Sequence, residues 1–217
     1  LIPCAATTVV ILGLVGKFVG VTWALLLYIV DLVIVFVLGR AAFKSLPGEP
    51  IGLLMEMHDY RFPHMKTVVN QTWFRLSEFI KIAFPFIVLS SLVIKSIELA
   101  GLLKPISMFL SPVTVYWLGL RPEMGISLVF GVLRKELTLI MLATLLGTAN
   151  FGAVLTSVQM IVFALVTMLY IPCIATIAAC VKEFGFKKAF FITIFEIFFA
   201  ILVGGVAFRL LSPLNIL

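Results

Sequence analysis

Apolar residues run almost unbroken along most of the chain, and the few polar positions mark where each run ends. A spanning helix needs roughly 20 apolar residues to cross about 30 Å of hydrocarbon. Residues 1–16 are uncharged, with Pro3 and Gly13 near their ends, and read as the latter part of a span. Residues 18–38 form a second span interrupted only by Asp31. From Gly39 to Lys81 the pattern turns polar: Pro47, Gly48 and Pro50 open a loop, and Pro63 divides it. From about Lys66 polar and apolar positions alternate at helical spacing. Trp73, Leu76, Phe79, Ile80 and Ala83 share one face and Gln71, Arg75 and Glu78 another, which predicts an interfacial amphipathic helix running into a span at about 82–98. Trp73, Arg75 and Lys81 suit a headgroup-level anchor.

The second half is less regular. Residues 105–120 are uncharged but start at Pro105 and contain Pro112, so they predict a half-helix or interfacial segment; 123–134 form another short piece. Residues 137–181 carry no charge at all. At 1.5 Å per residue that is too long for one crossing, and Gly147 to Gly152 supplies a turn. The spacing predicts a short helix over 137–147, a span over 156–181 and a last span over about 188–210 that contains Glu196. The predicted class is all-α: a polytopic helical membrane protein with broken and half helices. Three regions follow: 1–38 with two membrane segments, 39–81 with the polar loop and amphipathic helix, and 82–217 with the central span and the remaining helices.

Composition excludes the alternative classes. Of 217 residues 63% are hydrophobic and 12% charged, about half the charge of an ordinary soluble domain, and mean hydropathy is +1.25. The net charge of +6 is scattered along the chain and makes no stripe for nucleic acid. Basic residues in the 39–81 connection and at Lys182–Lys188 point to the cytoplasmic side. No GxxxxGK[ST], HExxH or GxSxG motif occurs, which argues against a nucleotide-hydrolysing module, a protease or a lipase, and the chain is read as a non-enzyme. His58 and His64, with Glu56 and Asp59, read as a solvated loop, and the eight methionines form no cluster.

The chain also repeats itself. Ile2-Pro3-Cys4-Ala5-Ala6-Thr7 recurs as Ile171-Pro172-Cys173-Ile174-Ala175-Thr176, and Gly16 aligns with Gly185 at the same offset. A span with a single acid follows each copy, Asp31 in the first and Glu196 in the second. Proline in a helix frees carbonyls that cannot turn to water inside lipid. A cysteine beside them adds a soft ligand, and thiolate with carbonyl suits a borderline metal such as Fe(II). Cys4 and Cys173 are therefore candidate metal ligands, facing each other at mid-membrane. Arg134-Lys135-Glu136 interrupts a long apolar stretch, where charge is expensive and is a functional candidate by default. Glu136 is a candidate carboxylate ligand with Lys135 as its charge partner; Arg134, Asp31 and Glu196 are candidate pathway residues.

As a set, these elements resemble the membrane region of the ferrous iron transporter B (FeoB) family, which is built from paired Gate domains. The resemblance rests on Ile2–Thr7, on Met55-Glu56-Met57-His58-Asp59-Tyr60-Arg61-Phe62-Pro63, on Gly131–Glu136 and on Tyr170–Thr176, in that order along almost the whole chain. It implies an internal Gate-type repeat and a Fe(II) uptake permease in the plasma (inner) membrane of a prokaryote. The Pro-Cys cysteines and the Lys-Glu region would line the iron path. It further implies a cytosolic GTP-binding domain or small accessory protein as partner, with GTP entering only through that domain, and is compatible with a homo-oligomer. The chain departs from the family pattern in starting at the first Pro-Cys, with no G domain ahead of it, and in lacking a basic residue shortly after Cys4. Two other expectations compete: a transporter of a nucleoside or other small solute, and a membrane scaffold with no substrate path.

Overall fold

The computed structural model describes residues 3–45, 64–99, 101, 105, 108, 110–133, 135, 138–170 and 173–214. Among these, helices account for all the regular structure. Helix α1 (Ala5–Val10) continues as a π-helical stretch, Ile11–Gly16. Then come α2 (Val21–Ser45), α3 (Met65–Leu99), a second π stretch (Pro112–Trp117), α4 (Pro122–Leu133) and α5 (Thr138–Leu146). Last are α6 (Ser157–Leu169), α7 (Ile174–Phe184) and α8 (Phe186–Leu211). Each predicted apolar run has a helical counterpart. The amphipathic segment and the span after it form one continuous helix, α3, through Pro85.

Among the described residues two helices, Val21–Lys44 and Phe186–Leu211, are long and apolar enough to cross a membrane. Their large side chains point outward: Leu25, Ile29, Leu32 and Phe36 on α2, and Phe191, Phe195 and Phe198 on α8, are exposed. In water such faces would drive aggregation; in lipid they are the ordinary outer surface. The chain is a helical membrane protein.

The centre of the bundle is α6. Every residue from Met160 to Leu169 is buried, which is what an all-apolar helix requires. It packs against α8, α1 with its π stretch, α2 and α4. One side meets Val10, Leu14, Leu118 and Met124; the other meets Ile11, Val15, Leu27 and Ala200. Its start is fixed by a capping box in which Thr156 Oγ1 accepts from the Gln159 amide at 3.3 Å and Gln159 Oε1 from the Thr156 amide at 3.2 Å. The Gln159 side-chain amide also donates to the Gly119 carbonyl at 3.1 Å, fastening the second π stretch to α6.

That π stretch is held to α8 by Trp117. Its indole N–H donates to the Ile201 carbonyl at 2.9 Å, and the Arg209 guanidinium lies 4.1 Å from the ring centroid. Arg209 also donates to the Trp117 and Gly205 carbonyls at 3.3 and 3.1 Å. Trp117→Phe removes the indole donor and weakens the cation–π contact. It is expected to destabilise the protein by about 1–2 kcal/mol, measured as a lower melting temperature in detergent.

Each Pro-Cys hexapeptide leads into a short helix followed by a long one. Ala5–Gly16 is followed by the long helix α2, and Ile174–Phe184 by the long helix α8. At the sequence offset of 169, Leu27 pairs with Glu196 and Asp31 with Ala200, so the acids sit one turn apart on equivalent faces. The turns use different glycines: Gly20 (φ +137°) before α2 and Gly185 (φ +81°) before α8.

Candidate functional site

The predicted 156–181 span does not run through as one helix. Helix α6 stops at Leu169, Tyr170 is extended (φ −82°, ψ 137°), and α7 begins only after Cys173. Cys173 is the N-cap of α7, with φ −59° and ψ 164°. Cys4 does the same for α1, with φ −82° and ψ 171°. Pro3 therefore precedes a helix instead of kinking one, and costs α1 no hydrogen bond. In both copies the thiol reaches the hydroxyl three residues on: Cys4 Sγ lies 3.4 Å from Thr7 Oγ1 and Cys173 Sγ 3.5 Å from Thr176 Oγ1. The Cys4 carbonyl accepts from the Thr8 amide at 3.0 Å, and that of Cys173 from the Ile177 amide at 3.0 Å, starting each helix in the same way. Both thiols thus stand at helix N-termini, where unpaired N–H groups and the macrodipole favour negative charge. Cys4 is exposed and Cys173 half-buried.

Lys135 lies in the field of both. It lies between α4 and α5, is 8% exposed, and donates to the Thr167 carbonyl at 3.2 Å and the Tyr170 carbonyl at 2.9 Å. Those carbonyls are the open end of α6, the negative pole of its dipole, so a cation caps the helix from outside. Cys4, Cys173 and Glu196 all lie within electrostatic range of the same ammonium group. The phenol of Tyr170 donates to the Leu128 carbonyl at 2.7 Å, tying the break to α4. Ser127 donates to the Thr138 carbonyl at 2.7 Å and closes the α4–α5 pair just below Lys135.

The predicted site residues are distributed as follows. Lys135 sits at the end of α6, and Cys4, Cys173 and Glu196 contribute to the field at its amine. Asp31 is 1% exposed on α2, and its Oδ1 has no hydrogen-bond partner among the described residues; the same holds for Tyr28 Oη, Thr167 Oγ1 and Glu196 Oε2. Arg134, Glu136 and Pro172 lie outside the described residues, as does the Met55–Pro63 element. Among the described residues no three His, Cys, Asp or Glu side chains gather into a metal cluster. What the described residues bring together is a buried amine on two backbone carbonyls, with each of the two thiols set at a helix start of its own.

Residues 80–187 match the Gate family model, described as "Nucleoside recognition". Residues 24–75 match the model for the ferrous iron transport protein B C terminus. The chain carries an FeoB-family membrane region. It is 26% identical to the Fe(2+) transporter FeoB of Methanocaldococcus jannaschii over 81% of this chain and 30% of that protein. With the Fe(2+) transporter FeoB of Staphylococcus aureus strain COL it shares 27% identity over 72% of this chain and 26% of the relative. With that of Synechocystis it shares 29% over 58% and 23%. The chain thus spans between a quarter and a third of the length of the first FeoB relatives. No solved structure matches it.

Within this FeoB-type region, three contributors escaped the sequence reading. Tyr170 and Thr167 act through backbone carbonyls, which carry no residue-type signal. The Cys-x-x-Thr contact was present in both hexapeptide copies, in Thr7 and Thr176, and the repeat itself was the signal for it.

Proposed function

We propose that this FeoB-type region is the membrane pathway of a ferrous iron permease in the inner membrane of a prokaryote, with Cys4 and Cys173 as its soft ligands. One observation carries the reading: two Pro-Cys segments, far apart in sequence, are built alike, each with its cysteine as a helix N-cap and its thiol against a threonine three residues on. Fe(II) is a borderline ion that accepts both thiolate and oxygen ligands. A thiol at the mouth of a helix, next to freed carbonyls, offers both without a rigid cage. A path must bind its ion weakly enough to release it, and dispersed ligands around a break meet that need better than a closed cluster. Glu136 supplies a carboxylate ligand or gate, Arg134 and Lys135 set the field, and Asp31 and Glu196 line the path from α2 and α8. The broken-helix pairing follows the repeat. Coupling to a cytosolic GTP-binding domain, or to a small accessory protein, belongs to the same proposal. The relatives' name, Fe(2+) transporter, supports the choice of ion.

A second reading has its own support: the Gate model is described as nucleoside recognition. Melting curves in detergent separate the two. Fe(II), kept reduced under anaerobic conditions, is expected to raise the melting temperature, and nucleosides up to millimolar concentration to leave it unchanged. Stabilisation by a nucleoside with no response to Fe(II) reverses the assignment.

A further inference from the structure

The ammonium group of Lys135 occupies two backbone carbonyls at a break between helices. It is buried, and its two acceptors are the Thr167 and Tyr170 carbonyls at the open end of α6. Carbonyls freed at a helix break inside a membrane are cation ligands by nature. Beside them Thr167 Oγ1 is buried without a hydrogen-bond partner among the described residues, and so is Glu196 Oε2. The Cys4 and Cys173 thiols and the Glu196 carboxylate lie within electrostatic range of the amine. The amine uses the two carbonyls and leaves the Thr167 hydroxyl and one Glu196 oxygen without a partner among the described residues.

Resting on the reading of the Pro-Cys thiols as metal ligands, we propose that Lys135 is a tethered surrogate cation filling an oxygen site at the end of α6. An arriving divalent ion takes that site by displacing the amine toward Glu196. The amine keeps its proton and charge throughout. Each metal–sulfur bond that forms releases one thiol proton to solvent, so the two positive charges of the ion replace two protons. Carbonyls freed at a helix break and left without any cation in a low-dielectric layer are costly. Lys135 meets that cost when no ion is present. Because it must be moved, it also weakens metal binding, which lets the ion leave. Glu196 is the alternative partner that makes the movement affordable, and its unpartnered oxygen is the vacancy the amine enters.

The test is a titration of the purified protein in nanodiscs with Co(II), a redox-stable probe whose thiolate ligation gives a near-ultraviolet charge-transfer band. Lys135→Met is expected to bind Co(II) about 10- to 100-fold tighter, the equivalent of one hydrogen bond to a charged group. Lys135→Arg, which keeps a cation there, stays close to the unmutated protein. Glu196→Gln binds about tenfold weaker, but has no further effect in the Lys135→Met background, where no amine needs a second partner. An equal fall in both backgrounds means that Glu196 attracts the ion directly, and overturns the displacement. So does equal affinity of Lys135→Met and Lys135→Arg. If Lys135→Met does not fold, an unchanged affinity in Glu196→Gln is enough to reject the proposal. Failure of the underlying reading looks different: the charge-transfer band is then missing from the unmutated protein, or survives in the Cys4→Ser/Cys173→Ser double variant.

Discussion

Cys173→Ser is expected to lower Fe(II) uptake into vesicles carrying the protein by about tenfold or more, with no loss of protein in the membrane. The magnitude is conservative, since losing even an outer-shell partner costs metal sites about 10- to 100-fold. Serine keeps the shape of the side chain and the reach to Thr176 Oγ1, now 3.5 Å from the sulfur. It also caps a helix N-terminus at least as well as cysteine, so α7 is not weakened. What it removes is the soft sulfur ligand. Cys4→Ser should behave alike, because Cys4 occupies the same N-cap position in the first copy. If the two thiols serve one ion, the double variant falls little below the worse single one, since partners in one site are not additive. Cys180 provides the control. It is half-buried on α7, seven residues beyond Cys173, and Cys180→Ser should transport normally. Uptake at the unmutated rate in Cys173→Ser ends the assignment of the thiols as ligands.

The sequence reading reached the site through its breaks. The Pro-Cys copies and the isolated Lys135 stand out because each interrupts an apolar run, and insertion into lipid makes such interruptions expensive. Their positions in the chain were legible for that reason. The way they are used was not. Lys135 was expected to balance its neighbour Glu136, which lies outside the described residues; its amine reaches 32 and 35 residues along the chain to backbone carbonyls. Carbonyls are the same at every residue, so only the end of α6 identifies which of them are free. Pro3 was expected inside a helix; it stands before one, a difference of a single position that turns Cys4 from a kink residue into a cap. Glu196 and Asp31 were recognised as lone acids of equal rank. Packing separates them, since Glu196 shares the field of Lys135 while Asp31 is sealed on α2.

The same packing gives the second large effect. Gly204→Val is expected to destabilise the protein by about 1–3 kcal/mol, the usual cost of overpacking a close-fitted interface, and to weaken Co(II) binding at a distance. A Cβ at Gly204 would run into the Val166 side chain and come within 2.8 Å of Leu118 Cδ2. At Gly205 the obstacle is the Trp117 indole, which is committed to the Ile201 carbonyl. Small residues let membrane helices approach closely, and this pair seats α8 on α6 through Gly204 and on the second π stretch through Gly205. Val166 is the residue before Thr167, whose carbonyl holds Lys135. Glu196 lies eight residues before Gly204 on α8, or about 12 Å along the axis. Pushing α8 away from Val166 therefore moves Glu196 relative to the Lys135 amine, although neither residue is touched. Gly204→Ala, with one carbon, should produce a smaller fall in melting temperature and a smaller loss of affinity in the same order. The two readouts should move together across the series, because one contact controls both. A Gly204→Val protein that melts early but binds Co(II) normally would mean that α8 can shift without carrying Glu196 away from the site.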